Sequence, residues 1–388
     1  MHPRDPDEPG RSASTLELFF DLVFVVAVSR AASELHHALA EAHVAQGLEM
    51  YAVCFFGIWW AWMNFTWFAT SFDTDDWLYR VLTFVQMGGV LVLAAGVGPA
   101  FEHDVRLLVF GYVVMRVAMV AQWIHAAHAT EGAPARAARI YAVGITVVQV
   151  LWLLYLLLHG PLATVVLVVL VGAEIAIPVV AERTGSTPWH PHHITERYGL
   201  FTLILLGESL LGSANAIIEA IDNHDELAPL LSVSVLTLVI TAALWWIYFW
   251  PPHHRAISTF GSSLRYGYVH YLVFAAAGAL SAGIELQIDV STGHSALGEL
   301  PAAFAVTVPV AVFILGIWWI ALRRSADRVV DLAVPLGALL VLVGPLAPVP
   351  IGITAVVLVA VVAVLVRHPP IDDAGSPDEH GPHRVSSL

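Results

Sequence analysis

Two carboxylates, Glu17 and Asp21, sit four residues apart in the apolar run LELFFDLVFVVAVSRAASELHHAL. On a helix that spacing puts them on one face, and such a pair suits holding a proton or a small cation. Glu17, at the very start of the run, equally suits a cap on the helix N-terminus, where the dipole favours negative charge. Arg30 and Glu34 in the same run are also four apart and are expected to pair with each other. An ionised residue at membrane depth costs about 2.5–3.5 kcal/mol on insertion scales, so each needs a partner, water or a function. Farther on, Arg116 and Glu208 fall near the middles of two other apolar runs, which predicts a midplane ion pair between them. A clamp without any ligand is the plainer alternative. Glu174 and His270 are further buried candidates for a proton relay, His270 because imidazole titrates near neutral pH.

Histidines are abundant, with His190, His192 and His193 in WHPHHITER and His253 with His254 in a later loop. The spacing matches no zinc motif, and Pro191 interrupts the cluster, so solvated loop histidines are expected rather than a metal site. The single cysteine, Cys54, excludes an internal disulfide framework. No nucleophile–base constellation stands out and no cofactor is called for, so an enzyme is the least expected class.

The elements that must position these groups are membrane helices. The chain is 58% hydrophobic and 12% charged, with mean hydropathy +0.75, far from the balance of a soluble domain. Its formal charge of −14 argues against nucleic acid as a partner. The lipid bilayer is the expected surrounding, and a small ion or solute the expected cargo. Apolar runs long enough to cross a bilayer predict helices over 16–39, 48–72, 78–101, 105–128, 138–158, 161–182, 195–221, 228–250, 264–288, 301–322, 329–346 and 351–366. With the N-terminus in the cytoplasm, every loop or helix-end arginine except Arg106 falls on the cytoplasmic side, so both termini are expected there, in a bacterial inner membrane.

The reading is therefore an all-α polytopic membrane protein of about twelve helices, arranged as two parallel six-helix repeats. TERYGLF opens helix seven where TLELFFDLVF opens helix one, Trp59 and Trp60 correspond to Trp245 and Trp246, and Arg80 corresponds to Arg265. This divides the chain into a polar tail (1–15), a first repeat (16–183), a histidine-rich cytoplasmic loop (184–194), a second repeat (195–367) and a disordered tail (368–388).

The segments LELFFDLVFVVAVSRAA and HHITERYGLFTLILLGESLLG, within this helix profile, resemble the bacterial low temperature requirement protein A (LtrA) family. Glu17, Phe20 and Asp21 match the family's first motif, and His193, Glu196, Arg197, Gly207 and Glu208 its second. The resemblance implies a polytopic inner-membrane protein without an established activity, named for a cold-growth phenotype. The first helix is also similar to that of potassium channels with a Phe-Ser-Asp signature, though Phe20 stands where that signature has its serine. Together these readings predict a secondary transporter or an ion or proton pathway built on buried carboxylates. A non-transporting sensor or scaffold for cold or envelope stress is the alternative.

Overall fold

A computed structural model describes residues 3–223 and 227–371. Twelve long helices account for nearly all of them, and there is no strand among the described residues. They are α1 (Thr15–Ala40), α2 (Val44–Phe72), α3 (Trp77–Phe101), α4 (Arg106–Ala129), α5 (Gly132–Tyr155) and α6 (Pro161–Thr184). The rest are α7 (Pro191–Asn223), α8 (Leu227–Phe249), α9 (Phe260–Thr292), α10 (Glu299–Ser325), α11 (Arg328–Val343) and α12 (Pro350–Arg367). All twelve predicted spans are found as helices. Of the tail expected from 368 onward, all but 368–371 lies outside the described residues.

Local signals set the ends. Ser14 and Glu17 form a capping box at α1, each side chain accepting from the other's backbone N–H. Asp76 caps α3 through the Tyr79 N–H at 2.8 Å. Proline stands in the first turn of α6 and α12, where its missing N–H has no partner to lose. α7 starts at Pro191, four residues before the expected 195, so His192 and His193 ride on its first turn rather than in a loop.

Among the described residues nine helices are long and apolar enough to cross a membrane. The other three are α1, α2 and α7. The apolar run of α1 is interrupted by Glu17, Asp21 and Arg30, and α2 is rich in tryptophan and small polar residues. These three meet one another; α2 is enclosed over most of its length, whereas α1 and α7 also turn an apolar face outward, through Phe19, Leu22 and Val26 and through Leu203 and Leu211. α1 packs on α2, α3, α7 and α9, and α9 in turn on α7, α8 and α10.

The α3–α4 and α9–α10 pairs approach to backbone contact. A Cβ on Gly96 would lie 2.3 Å from the Leu108 nitrogen, and one on Gly283 would lie 2.2 Å from the Ala305 carbonyl oxygen. At the face opposite the N-terminus, Ala296 N donates to Ala40 O at 2.8 Å. At the N-terminal face the segment from Arg4 to Arg11 is tied to the end of α2. Arg4 N donates to Ser71 O, and Arg11 donates to the last carbonyls of α2, at Ala69 and Thr70.

Candidate functional site

The carboxylates of α1 meet the second signature helix directly. Arg197, one and a half turns into α7, donates through Nη1 to Glu17 (3.2 Å) and through Nη2 to Asp21. His193, one turn earlier on the same face, donates its Nε2–H to the other Glu17 oxygen at 3.2 Å. From α2, Trp62 donates its indole N–H to Asp21 at 2.7 Å, and its ring and that of Phe65 lie near the guanidinium. All four ionisable side chains are buried. Glu17 therefore fills both roles open to it in the sequence, capping α1 and belonging to the charged centre. Phe20, the residue before Asp21, is fully buried and stacks on Phe65 at 3.9 Å. Glu196 turns away and accepts from the Ala13 N–H at 3.2 Å, fastening the N-terminal segment over this junction.

A second network surrounds Glu174 on α6. One oxygen accepts from Tyr112, Gln149 and Trp152, and the other from Trp60 and from Arg116 at 2.9 Å. Arg116 thus pairs with Glu174, and the expected bond to Glu208 is not formed. Helix order explains the difference. α4 packs on α2, α3 and α5, whereas α7 packs on α1, α2, α8 and α9. Glu174 offers a carboxylate within reach from α6, which packs on α5, the neighbour of α4.

Glu208 belongs to a third group, toward the far face. Its backbone carbonyl lies 3.4 Å from Ser281 Oγ, which also reaches Glu285 at 3.4 Å. His36 of α1 stands between Glu285 (3.3 Å) and Asp289 (2.7 Å) of α9. Gly212 permits this approach, because a Cβ there would come within 2.7 Å of Glu285; Gly207 faces open space. Arg30 and Glu34 pair as expected.

His270 is not joined to any carboxylate. It is locked in a tyrosine–histidine ring: Tyr248 O–H donates to its Nε2 (3.1 Å) and its Nδ1–H to Tyr266 O (2.7 Å). Tyr266 O–H donates to His253 Nδ1 (3.0 Å), whose Nε2–H returns to Tyr248 O (2.6 Å). Burial pushes His253 down to about 4. The expectation of solvated loop histidines fails here: His190, His193 and His253 are all buried, because the loops fold back onto helix ends.

Sequence reasoning singled out both members of the Arg197–Asp21 contact without joining them. The signal was available, since an arginine in the first turns of the second motif is the natural counter-charge to carboxylates in the first turns of the first.

Apolar helices enclosing buried, mutually paired charges define a polytopic membrane protein. Within that class, the chain belongs to the bacterial low temperature requirement A protein (LtrA) family, whose model matches residues 12–366. It is 28% identical over 343 residues to an uncharacterised protein of Rhizobium meliloti (strain 1021), an alignment covering 82% of this chain and 78% of that protein.

Proposed function

We propose that the protein is a proton-linked secondary transporter of a small ion or solute, in which the junction of α1, α2 and α7 holds the proton. The observation that carries this is a charge count. Glu17 and Asp21 share one guanidinium, leaving a net negative charge in a buried site unless a proton neutralises it. Asp21 Oδ2 and His193 Nδ1 are both buried without a hydrogen-bond partner, and these are the atoms on which that proton would sit. By helix register, Phe24, Phe201 and Phe274 lie between this junction and the Glu208–Glu285–His36 group, each almost wholly buried. Such a layer is what a transporter closed between two half-pathways requires.

The arginine distribution supports a cytoplasmic N-terminal face, which makes the junction the cytoplasmic half-site in a bacterial inner membrane. The recurrence of packing supports a duplicated architecture: α1 with α2 and α3, then α3 with α4, is matched by α7 with α8 and α9, then α9 with α10. The scaffold reading has its own support in the second network, since five donors satisfy Glu174 completely and Arg116 leaves no charge over.

The test uses purified protein in proteoliposomes loaded with a pH-reporting dye. Under an imposed membrane potential, wild type should acidify or alkalinise the lumen, and Asp21→Asn should abolish the flux while melting like wild type. Equal proton leak in wild type, Asp21→Asn and empty liposomes would sink the proposal and favour the scaffold.

A further inference from the structure

A cavity of about 40 Å³ lies between the N-terminal-face halves of α2, α4, α5, α6 and α9, apart from the three charged groups. Its walls are aromatic: Trp67 and Trp189 meet edge to face at 5.8 Å, Trp123 and Tyr141 stack at 4.1 Å, and Phe260 and Tyr268 add two more rings. Its one carboxylate is Glu182 of α6, half-buried, which accepts from Tyr141 O–H (3.1 Å), Thr187 N–H (3.0 Å) and Thr187 O–H (2.9 Å). Every one of those donors is neutral, and no arginine or histidine lines the cavity. Glu182 differs in this from Glu17, Asp21 and Glu174, each of which has a guanidinium.

Several other polar groups of the wall donate elsewhere, while the Trp123 indole N–H is buried without a partner. Trp67 N–H donates to Tyr198, Tyr268 O–H to Ile175 O, Ser263 O–H to Phe260 O, and the Asn64 amide to Trp60 O. A lining of aromatic rings with one carboxylate that no cation compensates attracts a positive charge. The volume has room for about three waters, the size of a molecule of a few heavy atoms.

We infer that this cavity is a binding site for a small organic cation, a primary or methylated ammonium, with Glu182 as its counter-ion and the tryptophan and tyrosine faces as its walls. Bound there, the cation rests against Trp67, whose N–H reaches Tyr198, the residue next to Arg197 on α7. Binding at this site does not depend on the proton junction, so it stands or falls separately from the transport proposal.

The experiment is equilibrium binding of radiolabelled methylammonium to the full chain in detergent. Wild type should bind saturably, methanol as the neutral isostere should not compete, and Glu182→Gln should weaken binding at least tenfold while melting like wild type. Because Glu182→Gln could act through the Thr187 loop, Trp67→Leu serves as a second variant and should weaken binding with Glu182 intact. Binding unchanged in both variants, competition by methanol, displacement by potassium at equal concentration, or no saturable binding at millimolar methylammonium would each overturn the assignment.

Discussion

Arg197 closes on Asp21 across 176 residues of chain, joining the first helix to the seventh inside the protein. Removing the guanidinium strands two buried carboxylates. Arg197→Leu should lose about 3–5 kcal/mol of stability, and adding Asp21→Asn should recover part of it. Chemical unfolding in detergent of the two single variants and the double variant checks this. A double variant as unstable as the sum of the singles would mean that the two residues are not coupled.

Glu174 carries five donors on two oxygens. Glu174→Gln puts an amide N–H₂ where an acceptor is needed, leaves Arg116 uncompensated, and should cost about 3–5 kcal/mol despite its near-identical shape. Replacing Arg116 and Glu174 together with methionine should cost less than either single loss of charge, because no buried ion is then left alone. Thermal melting of the set discriminates, and a double variant less stable than both singles would contradict the pairing.

Two groups outside the membrane spans give stability opposite pH slopes. Asp73, just past α2, is raised to about 6 by burial and by the nearby Glu17 charge, from an ordinary 3.8. The folded state therefore holds its proton longer, and this stabilisation is full below about 3.8 and lost as pH rises to about 6. His253 is lowered from 6.5 to about 4, so its contribution is full above 6.5 and lost as pH falls toward 4. Melting curves from pH 4 to pH 7 should show wild type falling relative to Asp73→Asn as pH rises, and rising relative to His253→Gln. Parallel curves for any variant and wild type would reject that residue's share.

Arg11 donates to the carbonyls of Ala69 and Thr70 at the end of α2, where a cation also complements the helix dipole. Arg11→Ala should cost about 1–2 kcal/mol. It should also speed hydrogen exchange in the last turn of α2 more than elsewhere, as read by mass spectrometry. Uniform exchange along α2 would place the effect outside this cap.

Much of the fold was legible because a bilayer demands long apolar helices and leaves few alternatives. The charged residues stood out for the same reason: Glu17, Asp21, Arg116 and Glu174 are conspicuous in apolar runs. Their partners were harder to assign. Depth follows from position within a run, and by depth alone Arg116 suits Glu208 as well as Glu174. The choice between them depends on which helices touch and how each is rotated, and that is set by contacts such as Gly96 against Leu108. The aromatic cavity was illegible, because tryptophans near helix ends read equally well as an interfacial belt. Only the tertiary fold brings Glu182 among them.

The joining of α1 to α7 through Arg197 and Asp21 also has a consequence for how the chain is made. At about 5–20 residues per second, ribosomal synthesis separates Asp21 from Arg197 by roughly 9–35 s. During that interval α1 has its carboxylates but no counter-ion, so the insertion machinery or early neighbours such as α2 and α3 must shelter it. α1 is made early, yet its carboxylates meet their guanidinium only after α7 arrives.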